Sequence, residues 1–407
     1  MQERSDSNRI SRRDFLGTAA VVGAGAILGG ASRALGGAAA ETATTTMPTR
    51  AFGKTGVNVS ILSLGGIFNT IDNQLLLRQA LQMGVTYWDT AESYGGGKSE
   101  TGFGKYLGAN SDDRKKIFLV TKSGAARTKS LEASLDRLQT DYVDLFFLHG
   151  ISKPDSLNDD VKAWAEKMKK AGKIKFFGFS SHRDMSACLQ KAAQVGWVDG
   201  VMLTFNFRTM VLDEGGDGRY KKALDAAHKA GIGMTAMKTQ AKGMRASNAE
   251  AEQALLDAFT AKKFSLQQAA LKVVWGDERF SCICSKMPNM TILKANVAAA
   301  LDKTELSAAD HAALRTFAEA TASDYCAGCS DICDHAVDGQ MPVCDVMRYV
   351  MYYNAYDDKH EARELFAALP ADVRNRLTRV DYSLAESRCP QGIPIAERMK
   401  LAEDLLA

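Results

Sequence analysis

The sequence lacks several features that would assign it to a common class of proteins. Its 407 residues carry a net charge of only +3 and contain no long block of like charge, which argues against a nucleic-acid-binding protein or a basic tail. Beyond the first forty residues, no apolar run approaches the length of a transmembrane helix. The glycine-rich dinucleotide fingerprint that follows the first strand of a doubly wound sheet is also missing, and this disfavours that fold.

The first forty residues instead have the layout of an export signal. Arg12 and Arg13 precede Phe15 and Leu16, and a Gly- and Ala-rich run then ends near Ala40. The pattern S-R-R-x-F-L resembles the twin-arginine signal, which implies export of a folded protein by the twin-arginine machinery. We therefore expect cleavage near Ala40 and release into the periplasm, with an N-terminal membrane anchor as the alternative.

After the signal, short apolar runs alternate with amphipathic stretches. A hairpin is predicted with its turn at 53–54 or 55–56, and a first buried strand follows it. Eight candidate strands are centred on residues 60–66, 85–90, 117–122, 143–150, 174–180, 199–205, 232–238 and 280–287. Helical spacing lies between them, and the last gap has room for two helices. Eight such units can close a barrel, so the predicted fold is an α/β (β/α)8 TIM barrel over 46–303. Residues 304–407 are predicted to form a helical, cysteine-containing extension.

Four chemically useful side chains stand at the C-terminal ends of successive predicted strands. Asp89 ends the second strand, Tyr94 lies just beyond it, Lys122 ends the third and His149 ends the fourth. In a barrel these ends share one face, which carries the active site. A lysine ammonium lowers the pKa of a nearby tyrosine, and an aspartate can orient that lysine. Each residue alone also has a purely structural explanation, but together they suit proton donation to an oxygen as hydride reaches its carbon.

Three stretches resemble the aldo/keto reductase family. They are GVTYWDTAESYGGGKSETGFG, DLFFLHG and GKIKFFGFSSH, and the resemblance spans about residues 50–300. It implies a (β/α)8 barrel that binds NADP(H) or NAD(H) and acts on a small carbonyl or alcohol substrate. In this resemblance Tyr94 is the general acid, and Asp89, Lys122 and His149 complete a catalytic tetrad.

The resemblance also implies a cofactor pocket. Its expected residues are Ser180 and Ser181 at the nicotinamide carboxamide, Phe205 stacked on the nicotinamide ring, Lys238 in the loop over the cofactor, Lys286 at the 2′-phosphate and Asn296 at the adenine. Three positions depart from the family pattern: Ser181 replaces the usual Asn, Met202 the usual Gln and Ile292 a common Arg. The choice between NADP and NAD therefore stays open. The same departures support a second hypothesis, a degenerate reductase barrel that serves as an electron-transfer or binding protein.

The eight cysteines of the chain divide into two sets. Cys188, Cys282, Cys284 and Cys344 are predicted to pack in the core. Cys326, Cys329 and Cys333 fall within the stretch CAGCSDIC, and Cys389 precedes a proline. A close run of cysteines with a separate Cys-Pro is typical of ferredoxin-type iron–sulfur sites.

Some aldo/keto reductases carry a similar C-terminal cysteine cluster, and this resemblance implies a [4Fe–4S] cluster on Cys326, Cys329, Cys333 and Cys389. Such a cluster makes a redox partner protein possible. Cys344 is the reserve ligand. Zinc, held by four thiolates or with His335 in place of one cysteine, and disulfides that staple a structural barrel, remain open alternatives.

Overall fold

Eight parallel strands form a closed barrel in this computed structural model, which describes residues 46–240, 248–260 and 262–407. The described strands are β1 (Thr49–Ala51), β2 (Asn58–Ser60), β3 (Leu62–Gly65), β4 (Tyr87–Asp89), β5 (Phe118–Ser123), β6 (Val143–Leu148), β7 (Ile174–Ser181), β8 (Gly200–Thr204), β9 (Gly233–Met237) and β10 (Cys282–Lys286). β1 and β2 form the predicted antiparallel hairpin. The barrel runs from β3 to β10 in chain order and closes where β10 pairs with β3. The predicted (β/α)8 fold is confirmed.

The predicted signal over 1–40 and its cleavage near Ala40 lie outside the described residues. Among the helices of the described ranges, none combines the length and the apolar character that crossing a membrane requires.

Helices follow the barrel strands and cover the outside of the barrel. They are α1 (Gln74–Gln82), α2 (Lys98–Ala109), α3 (Thr128–Leu138), α4 (Asp159–Lys170), α5 (Met185–Val195), α6 (Phe207–Leu212), α7 (Arg219–Lys229), α8 (Ala249–Thr260), α9 (Leu266–Trp275) and α10 (Met290–Leu301). α3 shows why they form: Leu131, Leu135 and Leu138 recur at helical spacing and are buried on one face. The two helices predicted for the last gap are α8 and α9.

The N-terminal hairpin closes one end of the barrel. Phe52, in its turn, is fully buried, and its ring lies 5.6 Å from that of Phe118. Glycines begin β8 and β9 because a Cβ atom at Gly200 or Gly233 would lie only 2.7 or 2.5 Å from the Phe52 ring. The opposite end, where the strands finish, is therefore the end that can hold a polar site.

The C-terminal extension forms a second hydrophobic cluster beside that of the barrel. Its helices are α11 (Ala308–Ala320), α12 (Ser330–Cys333), α13 (Val343–Asn354), α14 (Lys359–Ala367), α15 (Ala371–Arg374), α16 (Ser383–Arg388) and α17 (Ile395–Leu406). Leu314 and Phe317 of α11 pack in the barrel cluster, whereas the second cluster runs from Tyr325 to Leu406. The division of the chain into 46–303 and 304–407 stays a prediction.

One helical stretch of the extension is shorter than predicted. The pattern of residues 360–377 predicts continuous helical structure, but Pro370 separates α14 from α15. A proline lacks the backbone N–H that a helix interior requires, so the helix ends before it and a new turn begins after it.

Candidate active site and cysteine cavity

Asp89 and Lys122 form a buried ion pair at the end of the barrel where the strands finish. Nζ of Lys122 lies 2.6 Å from Oδ2 of Asp89 and 2.9 Å from the carbonyl oxygen of Thr90. Both charged side chains are only 1% exposed. Since two acceptors fix the ammonium, its remaining donor can point toward the hydroxyl of Tyr94, which lies 3.3 Å from Nζ.

Tyr94 and His149 meet at the mouth of the barrel. Their rings pack edge to face with centroids 5.7 Å apart, and both side chains are half-buried. Nδ1 of His149 lies 3.3 Å from the Ser93 hydroxyl. If that hydroxyl donates to Nδ1, the imidazole proton resides on Nε2, which is then available to a substrate oxygen. The structure therefore brings all four predicted tetrad residues together.

Burial dominates the proton affinity of Tyr94. It raises the pKa of the phenol to about 12, although the Lys122 ammonium acts in the opposite direction. The sequence predicted a lowered pKa, and this prediction is wrong in sign because desolvation of the phenolate outweighs the charge of the lysine. The hydroxyl therefore keeps its proton across the neutral pH range.

His149 is neutral over the same range. Burial, with the Lys122 charge second, lowers the pKa of the imidazole from its ordinary value to about 3. In the ion pair, burial opposes the charge of Lys122, but the neighbouring Asp89 raises the pKa of the lysine above its ordinary value. Burial also raises the pKa of Asp89, against the effect of Lys122. A single fixed positive charge, on Lys122, thus stands beside a protonated tyrosine and a neutral histidine.

The two serines predicted at the nicotinamide carboxamide end β7. The Ser180 hydroxyl accepts a hydrogen bond from the Gly150 N–H at 2.9 Å. The Ser181 hydroxyl lies 2.7 Å from the carbonyl oxygen of Ile151 and 2.8 Å from that of Arg183, and donates there. Its donor is therefore engaged with the backbone, and a carboxamide role for Ser181 stays a prediction.

The ring of Phe205 packs on the outside of the barrel. Side chains alternate between the two faces of a strand, and Met202 belongs to the interior cluster, whereas Phe205, three residues later, packs in the outer cluster. Its ring stacks on Phe280 with centroids 4.2 Å apart and is 2% exposed. One face of the Phe205 ring is thus covered by another ring, and the stacking of Phe205 on a nicotinamide ring stays a prediction.

The two lysines predicted at the cofactor reach the mouth from neighbouring strands. Lys238 follows β9 in a left-handed backbone conformation with φ of 56°, which is uncommon for a residue with a Cβ atom. Its Nζ lies 4.1 Å from the centre of the Tyr352 ring in α13. Lys286 ends β10 and is exposed. The charges of both lysines act on Glu361 of α14, so the extension contributes to this rim.

Asn296, predicted at the adenine, lies in a buried network of amides and a hydroxyl. Its Oδ1 accepts from Nε2 of Gln240 at 2.8 Å, and its Nδ2 donates to the Ser285 hydroxyl at 3.0 Å. Ser285 donates to Oε1 of Gln240 at 2.6 Å. The network fixes Asn296 between α10 and β10, and its contact with adenine stays a prediction.

The four predicted ligand cysteines line one cavity in the extension. This small cavity, of about 20 Å³ and thus with room for about one water molecule, is bordered by Cys326, Cys329, Cys333 and Cys389 together with mainly apolar side chains. α13 and α17 pack beside the segment from Cys326 to Cys333. Cys389 therefore lies near residues more than fifty positions earlier in the chain. The helices of the extension thus bring Cys389 close to Cys333 in space, although the two are far apart in the sequence.

The structure also bears on the disulfide and zinc alternatives for the cysteines. No disulfide joins any of the eight cysteines, all of which lie in the described ranges. In those ranges, no group of three or more His, Cys, Asp or Glu side chains is arranged to hold a metal ion. His335 is exposed and does not line the cavity. Cys344 is fully buried, and its carbonyl oxygen accepts a hydrogen bond from the Cys326 thiol at 3.9 Å, so it stays the reserve ligand.

Three residues near the barrel mouth were not predicted from the sequence: His182, Arg348 and Tyr352. His182 follows β7 as His149 follows β6, so its place at a strand end was a usable signal. Arg348 donates from Nη1 to the His182 carbonyl oxygen and from Nη2 to the Tyr352 hydroxyl. No periodicity or spacing in the sequence connects a helix of the extension to that strand end.

A closed (β/α)8 barrel with an ion pair, a tyrosine and a histidine at the C-terminal ends of its strands is typical of barrel enzymes. The aldo/keto reductase family model matches residues 64–319, which is more than half of the chain. The chain belongs to the aldo/keto reductase family. A model of the twin-arginine translocation pathway signal sequence matches residues 9–29, and this match supports export by that route.

Individual relatives match at moderate identity. L-galactose dehydrogenase of Arabidopsis thaliana is 32% identical over 32% of this chain and 47% of its own length. The uncharacterized oxidoreductase YrpG of Bacillus subtilis is 27% identical over 61% of this chain and 81% of its own length. The chain thus spans about half the length of L-galactose dehydrogenase and of several other curated relatives that it matches. Among solved structures, aldo-keto reductase AKR11C1 from Bacillus halodurans superposes with a TM-score of 0.56 at 22% identity, covering 67% of this chain and 96% of that one, which supports the shared fold.

Proposed function

We propose that this protein is an exported oxidoreductase that transfers hydride between NAD(P)H and a small carbonyl or alcohol, with Tyr94 as general acid. The observation that carries the proposal is the chain of contacts from Asp89 through Lys122 to the Tyr94 hydroxyl, at 2.6 and 3.3 Å. The twin-arginine signal supports release into the periplasm, with cleavage near Ala40.

Each residue of the tetrad has its own role in the proposed proton transfer. Tyr94 keeps its proton at neutral pH, because its pKa is about 12, and can donate it to a carbonyl oxygen that is becoming an alkoxide. Lys122 stabilises the phenolate that remains, and Asp89 keeps the ammonium aimed. Neutral His149 donates a hydrogen bond from Nε2 to the same substrate oxygen and orients it. Solvent then returns a proton to Tyr94.

The nicotinamide cofactor, when bound, supplies or accepts the hydride. The mouth of the barrel fits its anionic phosphates in charge, because Lys238 and Lys286 lie at the ends of β9 and β10. Ser180, Ser181 and Asn296 are the further residues proposed to hold it. Ile292 stands where the family often has an arginine, so Lys286 is the proposed contact to a 2′-phosphate.

The test of this proposal is a direct assay of purified protein that has been exported and processed. Tight binding of NADPH or NADH, followed by fluorescence of the reduced nicotinamide, is expected together with carbonyl-dependent oxidation over a panel of small aldehydes and ketones. Protein without signal cleavage serves as the control for folding. Absence of nicotinamide binding in correctly folded protein would contradict the proposal.

We also propose that Cys326, Cys329, Cys333 and Cys389 hold a [4Fe–4S] cluster, which, when bound, supplies one-electron chemistry. The proposal is supported by the four cysteines that border one small cavity together with apolar side chains. Export of an already folded protein allows loading in the cytoplasm, and a redox partner protein would then exchange electrons with it.

Replacing Cys389 with serine is expected to abolish or strongly reduce the iron and acid-labile sulfide bound by anaerobically prepared protein. Cys389 is the ligand that the extension brings from far along the chain, so its loss leaves the cavity with one thiol fewer. Cys188→Ser, which changes a fully buried cysteine of α5, is the matched control and should keep both. If instead Cys344→Ser removes the iron and Cys389→Ser does not, Cys344 is the fourth ligand; a colourless wild-type protein without iron excludes the cluster.

A second candidate function is a barrel without turnover that serves as an electron-transfer or binding protein. The observation in its favour is that three proposed cofactor residues already make contacts within the protein. Ser181 and Asn296 form hydrogen bonds there, and the ring of Phe205 stacks on that of Phe280. It predicts a loaded cysteine site in a protein that neither binds nor oxidises NADPH. The two assays above therefore separate the two functions.

A further inference from the structure

Two buried oxygen atoms close to the candidate active site have no hydrogen-bond partner within the described part of the chain. They are Oδ1 of Asp89 and the hydroxyl oxygen of Ser63 in β3. Lys122 occupies only Oδ2, the other oxygen of Asp89. Ser63 is fully buried and Asp89 is 1% exposed. Because a buried polar atom without a partner is costly, a neighbouring hydrogen-bonding group is expected for each of the two oxygens.

A cysteine lies on the same interior face of the barrel as these two oxygens. Leu62 and Leu64 of β3 pack in the outer cluster. Since side chains alternate along a strand, Ser63 and Gly65 point into the barrel. Cys284 of β10 packs against the interior cluster, and so its thiol is also on the inside.

The strand register places the Cys284 thiol beside both oxygens. Cys284 pairs with Ser63, and Gly65 pairs with Asp89. A Cβ atom at Gly65 would lie only 3.1 Å from Sγ of Cys284. The glycine therefore leaves room for the thiol on the strand that separates β10 from Asp89.

The Cys284 thiol keeps its proton in this environment. Burial, followed by the carboxylate of Asp89, raises the pKa of the thiol, although the Lys122 ammonium acts in the opposite direction. A protonated thiol is a weak donor and a weak acceptor. It can therefore serve an acceptor and a donor at the same time.

We propose that Cys284 is a positioning residue whose thiol donates a hydrogen bond to Oδ1 of Asp89 and accepts one from the Ser63 hydroxyl. This chain gives both orphan oxygens a partner. It also holds the Asp89 carboxylate by its second oxygen, so that the Lys122 ammonium stays aimed at Tyr94. The effect on catalysis rests on the proposed role of Tyr94 as general acid, whereas the hydrogen bond itself does not.

Infrared spectroscopy of the whole protein tests the hydrogen bond directly, because the S–H stretch absorbs in a region free of other protein bands. The difference between wild type and Cys284→Ser isolates the band of this thiol. It is expected at a lower wavenumber than the band of a simple alkanethiol in an apolar solvent. Asp89→Asn should move it back toward that value, since a neutral amide oxygen is a weaker acceptor than a carboxylate.

Steady-state kinetics of carbonyl reduction test the positioning role. Cys284→Ala removes the donor and is expected to lower kcat roughly tenfold, the size of one hydrogen bond to a charged group, with binding of NADPH unchanged. Cys284→Ser keeps a donor and an acceptor and should restore most of the wild-type kcat. Cys282→Ala is the matched control, because Cys282 lies two residues earlier on the same face, in the interior cluster; it should keep kcat.

The outcomes separate this inference from the proposed function. A Cys284 band at the position of the free alkanethiol overturns the hydrogen bond, and it decides the question even if Cys284→Ala does not fold. Equal loss of kcat in Cys284→Ala and Cys284→Ser assigns the residue to packing and overturns its positioning role. A wild-type protein with the shifted band but without carbonyl reduction refutes the proposed function and leaves the hydrogen bond standing.

Discussion

Replacing Tyr94 with phenylalanine is expected to lower kcat for carbonyl reduction by about 10²- to 10⁴-fold, the usual contribution of a positioned general acid. The change removes only the hydroxyl, so the edge-to-face contact of the ring with His149 can persist. Lys122 keeps its bonds to Asp89 and Thr90. Binding of NADPH should therefore stay close to that of the unmodified protein. Steady-state kinetics and a fluorescence titration with NADPH measure the two quantities separately.

Tyr106→Phe is the matched control for this change. Tyr106 of α2 is also buried, its pKa is also raised to about 12, and its hydroxyl donates to Asp113 at 2.7 Å. Asp113 lies just before β5, at the end of the barrel away from the site. The control should keep kcat. A Tyr94→Phe variant that also keeps kcat shows that another group donates the proton.

The tetrad could be predicted from sequence because its geometry follows from strand order alone. Each of Asp89, Lys122 and His149 stands at the end of a strand, and parallel strands closed into a barrel bring those ends to one face. No knowledge of side-chain packing was needed. The pKa of Tyr94 shows where this reasoning stops: its direction depends on how much water the folded protein removes from the phenol, and spacing carries no information about burial.

Phe205 and Arg348 illustrate two further limits. The resemblance places an aromatic ring at Phe205, directly after β8, but the face of a strand on which a side chain lies changes with every residue. The interior position of Met202 puts Phe205 outside. The contact of Arg348 with His182 joins residues 166 positions apart. It arises from how α13 packs on the barrel, and a local pattern in the sequence does not encode it.

Replacing Lys122 with methionine is expected to destabilise the protein by about 3–5 kcal/mol at neutral pH and to abolish carbonyl reduction. Breaking a buried ion pair on one side leaves the other charge uncompensated. The Asp89 carboxyl, 1% exposed, loses the ammonium that lies 2.6 Å away. Activity falls for a separate reason, because the phenolate of Tyr94 loses the cation that stabilises it. Urea unfolding, followed by tryptophan fluorescence, measures the free energy of unfolding.

The pH dependence identifies the cause of the lost stability. Burial already raises the pKa of Asp89 in the folded protein, and without Lys122 that pKa rises further. A carboxyl whose pKa is higher in the folded than in the unfolded state destabilises the fold as pH rises above the unfolded value, about 3.9. The deficit of Lys122→Met should therefore shrink as the pH falls toward that value. Adding Asp89→Asn removes the charge that was left unpaired, so the double variant should regain much of the stability at neutral pH while carbonyl reduction stays absent. A deficit that is independent of pH and persists in the double variant would instead point to lost packing around the lysine side chain.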